Sequence, residues 1–190
     1  MAILATISFF ACKNSTNSTA DNHVSSGNEE IEVTKLTGPE NDADKAAVKG
    51  IIDAYIQIKT ALTKDNVTDA ATAGKSLEEA VKGFNSTTLP EDKLKIWNDL
   101  SGDIAENAQH ISMNGVKLEH QREHFIALSQ DMEDFVKAFG TGGKVLYKDH
   151  CPMANDNQGA DWISEVKDIQ NPYFGSDMHT CGEVKAQFEE

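Results

Sequence analysis

The clearest helical pattern in the chain lies in residues 118–139, LEHQREHFIALSQDMEDFVKAF. Apolar residues recur there at spacings of three and four, which is the pattern of a helix with one buried face. The pattern ends at Gly140, a residue type that commonly terminates helices. One inward position is polar, Gln121. The inward positions are Leu118, Gln121, Phe125, Leu128, Met132, Phe135 and Phe139.

Three further amphipathic helices are predicted upstream. They run from about residue 44 to Leu62, from Val67 to Phe84, and from near Thr88 to about Met113. Short links between four such helices favour an antiparallel up-and-down four-helix bundle. The predicted fold class is therefore all-α. Residues 43–140 would form the bundle, and residues 141–190 would be an irregular Cys/Met-containing segment of the same domain, packed on it.

The N-terminal residues predict export. Residues 1–12, MAILATISFFAC, form a short apolar run that ends at Cys12, which is typical of a signal peptide followed by a lipidated cysteine. Residues 13–42 are polar and predict a disordered tether. We expect a periplasmic or cell-envelope protein held to a membrane by lipid on Cys12. The alternative is a buried N-terminal strand with a free thiol.

The charge balance excludes several classes of partner. Asp and Glu total 31 against 17 Lys and Arg, which gives a net charge of −14. Such a chain repels nucleic acid and anionic lipid surfaces. The sequence also lacks a Gly-x-Ser-x-Gly motif, a phosphate loop and a dinucleotide fingerprint. We expect a protein that is not an enzyme.

Two sulfur-rich clusters, His-Cys-Pro-Met and Met-His-Thr-Cys, stand out near the C-terminus. In an extended segment Cys151 and Met153 point to the same side, and in a helical turn Met178 and Cys181 do. Two thiolates and two thioethers suit a soft ion such as Cu(I). These four residues are the predicted ligands of a copper site.

Three histidines are predicted as additional ligands of that site, namely His179, His120 and His124. His120 and His124 are four residues apart on the last predicted helix, a spacing that places two imidazoles on one face. The alternative is that both are ordinary solvent-facing residues. His110 ends the preceding helix, where a cation suits the helix dipole.

A disulfide is the competing interpretation of the two C-terminal cysteines. In an oxidising compartment an even pair of cysteines favours a bond between Cys151 and Cys181. The metal site and the disulfide could also be two redox states of the same pair. With a disulfide, the chain would be a structural or protein-interaction module of the cell envelope.

The C-terminal segment also carries a family resemblance. The residues that carry it are Tyr147, Cys151-Pro-Met-Ala154, Gly159-Ala160, Trp162, Ser164, Ile169, Asn171-Pro-Tyr-Phe-Gly175, Met178 and Cys181-Gly182, with a looser match at Glu119-His-Gln-Arg-Glu-His-Phe125. The pattern resembles a domain-of-unknown-function family (DUF3347-type) of Gram-negative bacteria. Members of that family occur as exported lipoproteins and fused to periplasmic adaptors of heavy-metal (copper/silver) efflux systems.

The resemblance implies a helical bundle with the signature packed against it, a periplasmic location and an association with heavy-metal handling. The chain departs from the family pattern at His179, where a leucine-like residue is expected. The functional hypothesis is a periplasmic heavy-metal binding protein that buffers Cu(I) or delivers it to an efflux adaptor. The alternative remains the envelope interaction module with a Cys151–Cys181 disulfide.

Overall fold

Four long helices and a small sheet make up the protein in a computed structural model that describes residues 31–113 and 117–190. The four helices occur where the apolar spacing predicts them. The helices are α1 (Asp42–Thr63), α2 (Val67–Lys82), α3 (Glu91–Met113), α4 (Leu118–Phe139) and a short α5 (Ala154–Asn157), with a 3₁₀ turn at Ser86–Thr88. The strands are β1 (Glu32–Lys35), β2 (Leu146–Cys151), β3 (Ala160–Ser164) and β4 (Glu183–Glu189).

Local sequence signals set several helix boundaries. The Asn41 side chain accepts a hydrogen bond from the Asp44 N–H at 2.8 Å, and Asn66 caps α2 in the same way. These side chains satisfy N–H groups that the first turn of a helix leaves without partners. Helix α4 ends at Gly140, whose φ of 86° favours glycine.

The long helices pack in chain order, each against the next, and α4 also contacts α1. The small residues predicted in α2 permit a close approach to α3. A Cβ at Gly74 would lie 2.7 Å from the Ala108 carbonyl oxygen, so only glycine fits there. Gln121 is fully buried, as its inward position predicts, and donates to the carbonyls of Val67 and Ile111.

The all-α prediction is wrong, because the C-terminal segment forms a mixed four-stranded sheet. The strand order is β1-β4-β2-β3. Strands β1 and β4 are parallel, whereas β2 is antiparallel to both β3 and β4. The fold is therefore mixed α/β. Three strands lie in the segment predicted to be irregular, and residues 165–182, between β3 and β4, form a loop.

Two of the strands, β1 and β4, lack the continuous run of apolar residues that makes a strand easy to recognise. In β1, Val33 is half exposed, and the strand is held through its backbone pairing with β4. That strand lies inside the segment predicted as a disordered tether, so residues 32–35 are ordered, contrary to the prediction. Strand β4 does carry a period-two signal, with Val184, Ala186 and Phe188 alternating with polar residues. The charged residues between them hide this signal from a search for apolar runs.

Side chains of α1 attach the sheet to the helices. The Tyr55 hydroxyl accepts a hydrogen bond from the Ile163 N–H at 3.1 Å and lies 2.8 Å from the Ser129 hydroxyl. It thus joins α1, α4 and β3, an edge strand of the described sheet. One turn along α1, the fully buried Lys59 forms a 3.2 Å ion pair with Glu165 at the end of β3.

The N-terminal predictions fall outside the described residues. The signal peptide, the lipidated Cys12 and the tether over residues 13–30 all belong to this part of the chain. Among the described residues, no helix combines the length and the apolar character needed to cross a membrane.

Replacing Tyr55 with phenylalanine should destabilise the fold by about 1–3 kcal/mol, because the buried Ile163 N–H loses its acceptor. Equilibrium unfolding in urea measures this loss. The matched control is Tyr147→Phe on β2, a half-buried tyrosine, for which we expect a change within about 0.5 kcal/mol. Equal losses in the two variants would contradict the role assigned to the Tyr55 hydroxyl.

Candidate metal centre

Three sulfur atoms meet at one end of the sheet. Cys151 is the last residue of β2, and Cys181 lies just before β4, the neighbouring strand. Their Sγ atoms are 3.2 Å apart. The Met153 Sδ lies 3.9 Å from the Cys181 Sγ. Antiparallel pairing of β2 with β4 therefore brings together residues that are thirty positions apart in the chain.

The turn between β2 and β3 returns the chain sharply after the first cysteine. This turn contains α5. Its residues Asn155, Asp156 and Asn157 have φ values between 53° and 64°, so α5 is a left-handed turn rather than a regular right-handed helix. Asn and Asp tolerate this left-handed region better than other non-glycine residues. Gly159 completes the turn with φ 85°, and a Cβ there would lie 2.7 Å from the His150 ring.

Asn171 fixes the position of the second cysteine. Its side chain is fully buried and donates to the Cys181 carbonyl at 2.7 Å. The same side chain accepts hydrogen bonds from the N–H groups of Tyr173 and Phe174. All three of these side-chain hydrogen bonds are to backbone groups of residues 171–181, so the Asn171 amide holds the loop that leads to Cys181. This positioning role is not evident from ligand-type residues alone.

A second anchor joins this loop to the helices. Arg122 on α4 donates to the Pro172 carbonyl at 2.8 Å and pairs with Asp65, which follows α1, at 2.5 Å. Asp65 also accepts the Ser176 N–H. Hydrogen bonds from Ser176, together with Arg122, lower the pKa of Asp65, so its carboxylate stays charged and the anchor persists under mildly acidic conditions.

The three sulfurs differ in exposure. Cys151 is fully buried, Cys181 is half-buried, and Met153 is 46% exposed. The site therefore has a closed base and an open rim. The hydrogen bond with Cys151 raises the pKa of the Cys181 thiol, with a smaller contribution from burial.

The spacing of the sulfurs is close to what one shared metal ion requires. Both cysteines are free thiols in the structure. Three sulfurs around one ion in a trigonal plane, each at about 2.3 Å from it, lie ~4.0 Å apart. The contact between Met153 and Cys181 is close to that spacing, and the two cysteine sulfurs need to part by roughly 0.8 Å to reach it.

Two of the predicted ligands stand apart from the three sulfurs. Met178 contacts Cys181 through its main-chain carbonyl, which accepts the Cys181 N–H at 3.1 Å. Among the described residues, the sulfur that forms a contact with Cys181 besides Cys151 is that of Met153, and the Met178 sulfur makes no hydrogen bond with either cysteine. His179 is exposed, and its carbonyl accepts the Asn171 N–H.

The histidines of α4 belong to a different cluster. His120 and His124 group with His110 of α3, and a ring nitrogen from each of the three lies within 4.8 Å of the others. The structure thus does not bring them to the cysteines, and sequence reasoning missed His110 as their neighbour. The position of His110 in the sequence could have indicated this contact. The short link predicted between α3 and α4 places the end of α3, with His110, beside the start of α4.

His150, next to Cys151, is held on the sheet by an ionic network. Its Nδ1 lies 2.6 Å from an Asp161 carboxylate oxygen, and Lys148 pairs with the other oxygen at 3.0 Å. Partial burial raises the pKa of Asp161, but hydrogen bonds from Lys148 and His150 outweigh it and lower the pKa overall. The Nδ1 of His150 is thereby engaged by the network on the sheet.

The fold and the sulfur cluster together define a mixed α/β domain with a thiol–thioether site at one end of its sheet. Residues 51–144 match the family model described as Protein of unknown function (DUF3347). This match supports assigning the chain to that family, the one its C-terminal residues resemble. It covers most of α1 and all of α2, α3 and α4, so the sulfur site lies outside the matched residues. No curated protein and no solved structure matches the chain.

Substituting Asn171 with alanine should destabilise the protein by roughly 1–3 kcal/mol, because buried backbone groups lose their partners, including the Cys181 carbonyl. Urea unfolding of the metal-free protein measures the loss. Asn98→Ala, an exposed asparagine of α3, is the control and should leave stability nearly unchanged. Similar stability of the two variants would show that Asn171 does not organise the loop.

Proposed function

We propose that the protein binds Cu(I) in the cell envelope and buffers it or passes it to a heavy-metal efflux system. The observation that carries the proposal is that the Cys181 sulfur lies 3.2 Å from the Cys151 sulfur and 3.9 Å from the Met153 sulfur. These residues come from two separate segments, and the sheet places them together. A thiol pair with a neighbouring thioether is a soft ligand set.

Ligand chemistry favours copper over the other common ions. Soft thiolate and thioether ligands select Cu(I), whereas Ca²⁺ and Mg²⁺ require oxygen ligands. Zinc accepts thiolates but gains little from Met153, and a structural zinc site usually has four nitrogen or sulfur ligands. Three sulfurs suit the low coordination numbers that Cu(I) accepts. Copper is therefore the proposed cargo.

The uneven exposure of the sulfurs supports transfer rather than permanent storage. Cys151 forms the buried base of the site, and Cys181 and Met153 form its rim. A partner protein could approach the ion from the rim and replace the exposed thioether first. We propose Met178 and His179 as secondary ligands that could reach the rim once an ion is bound.

The cellular setting rests on sequence. The apolar residues 1–12 with Cys12 support export and lipid anchoring, and the family resemblance supports association with a periplasmic efflux adaptor. In an oxidising envelope the two cysteines would have to be kept reduced or occupied by metal. Otherwise a Cys151–Cys181 disulfide forms, and the site becomes a structural link.

Anaerobic titration against a chromophoric Cu(I) chelator tests the proposal. The wild-type protein should withdraw one Cu(I) per chain from the chelator. Cys151→Ser and Cys181→Ser should each weaken binding by far more than about tenfold, because even residues that only support a ligand cost that much. Met153→Leu should weaken it less, and Met113→Leu, an exposed methionine of α3, should have no effect.

Two outcomes contradict the proposal. Failure of the wild type to compete with the chelator is the first, and equal affinities of the wild type and both cysteine variants are the second. If the protein does not bind Cu(I), a count of free thiols in protein isolated from the periplasm shows whether Cys151 and Cys181 are joined in a disulfide. Absence of free thiols together with metal-independent stability would favour the interaction module with a disulfide.

A further inference from the structure

A second group of potential metal ligands lies where α3 ends and α4 begins. His110 is in the last turn of α3, and His120 and His124 are in the first two turns of α4. One ring nitrogen from each lies within 4.8 Å of the other two. The rings of His110 and His124 stack at 4.4 Å with an interplanar angle of 5°, and His120 meets His124 edge-on at 4.7 Å.

We propose that His110, His120 and His124 form a metal site distinct from the sulfur centre, one that binds a borderline divalent transition-metal ion of the Zn²⁺ and Cu²⁺ class. Imidazole nitrogen is a preferred ligand of these ions. Three histidines with a fourth position left to water are a known arrangement for zinc. This inference goes beyond Cu(I) binding and does not depend on it.

The hydrogen bonds of His120 and His124 leave one nitrogen of each of these two rings for a metal. The Nδ1 of His120 lies 2.8 Å from a carboxylate oxygen of Glu123, so this nitrogen carries the hydrogen and Nε2 keeps its lone pair. The Nδ1 of His124 lies 3.1 Å from the Asn107 Oδ1. Asn107 donates through Nδ2 to the Asp103 carbonyl, which fixes its amide so that the oxygen faces His124. His124 therefore also presents Nε2.

Histidines that bind metals usually have such hydrogen-bond partners on the ring nitrogen that does not bind the ion. Such a histidine donates its other ring N–H to a carboxylate or a carbonyl-type oxygen, which orients the ring and makes the ligating nitrogen more basic. Glu123 and Asn107 fill that role here. The Nε2 of His110 lies 3.8 Å from a carboxylate oxygen of Glu106, which is the second acidic side chain beside the cluster after Glu123.

Negative charge around the cluster favours a cation. Carboxylate oxygens of Glu123 and Glu106 lie beside the rings of His120 and His110. The chain also carries a net charge of −14, which concentrates cations near its surface.

A buried side chain fixes the two helices relative to each other at this point. Gln121, between His120 and Arg122, donates to the carbonyl of Ile111, the residue after His110, at 3.1 Å. The three rings thus lie on helix turns that a hydrogen bond joins next to the site.

The ring nitrogens need to move closer together to bind one ion. Nitrogens bound to a tetrahedral zinc ion at about 2.1 Å are ~3.4 Å apart, whereas those of the cluster lie within 4.8 Å of one another. Because the side chains of His110 and His120 are about half exposed, modest rotations of the rings can close this gap.

Calorimetric titration of the whole protein with Zn²⁺ tests the proposal, first in the wild type and then in a Cys151→Ser/Cys181→Ser background that removes the sulfur ligands. One Zn²⁺ should bind per chain in that background.

Variants of the cluster should lose this ion. His120→Ala/His124→Ala should abolish Zn²⁺ binding in the cysteine-free background, and in the otherwise wild-type chain it should lower the number of bound ions by one. Glu123→Ala should weaken it by roughly tenfold, as loss of an outer-shell partner does. The control is Asn98→Ala, an exposed residue of α3 outside both proposed metal sites, which should leave Zn²⁺ binding unchanged.

Thermal unfolding of each variant without metal shows that it folds, and an added Zn²⁺ shift in Tm gives an independent readout of binding. The proposal is overturned if the cysteine-free background binds no Zn²⁺. It is also overturned if the double histidine variant binds as tightly as its parent, or if Asn98→Ala loses as much as that variant. Each outcome is independent of the Cu(I) titration, so the two sites can fail separately.

Discussion

The column of aromatic rings that joins the helices to the sheet is the constraint on which the rest of the structure depends. Tyr55 of α1 stacks on Phe125 of α4 at 5.1 Å, and Phe125 contacts Tyr173 of the C-terminal loop at 5.9 Å. Tyr173 in turn meets Trp162 of β3 edge-on at 5.8 Å. Aromatic pairs in such geometries add stabilisation beyond the area they bury. One continuous column thus fixes α1, α4, the loop and the sheet to one another.

The two candidate metal centres depend on this framework in different ways. The sulfur centre needs it directly, because Cys151 ends a strand and Cys181 ends a loop that Tyr173 and Asn171 hold in place. The imidazole cluster rests instead on the α3–α4 junction, which Gln121 ties together. Sulfur ligands favour soft Cu(I), and imidazoles favour borderline divalent ions. The chain therefore offers two ligand chemistries on two separately supported parts of one fold.

Apolar spacing was sufficient to predict α1 to α4, because each helix buries a stripe of mainly apolar residues in one core. It failed for β1 and β4, where backbone pairing and one buried residue, Phe188, replace an apolar run. The meeting of Cys151 with Cys181 was anticipated from ligand chemistry, but the sheet that causes it was not. Non-local contacts between strands, such as the pairing of β2 with β4, leave no spacing pattern in a single sequence.

The most direct measurement of the central claim is X-ray absorption at the copper edge on protein loaded anaerobically with one Cu(I) per chain. The account predicts a first shell made of sulfur, with two thiolates from Cys151 and Cys181 and a longer thioether contact from Met153. A first shell dominated by nitrogen or oxygen would contradict it. Such a result would show that the three sulfurs brought together by the sheet do not hold the metal.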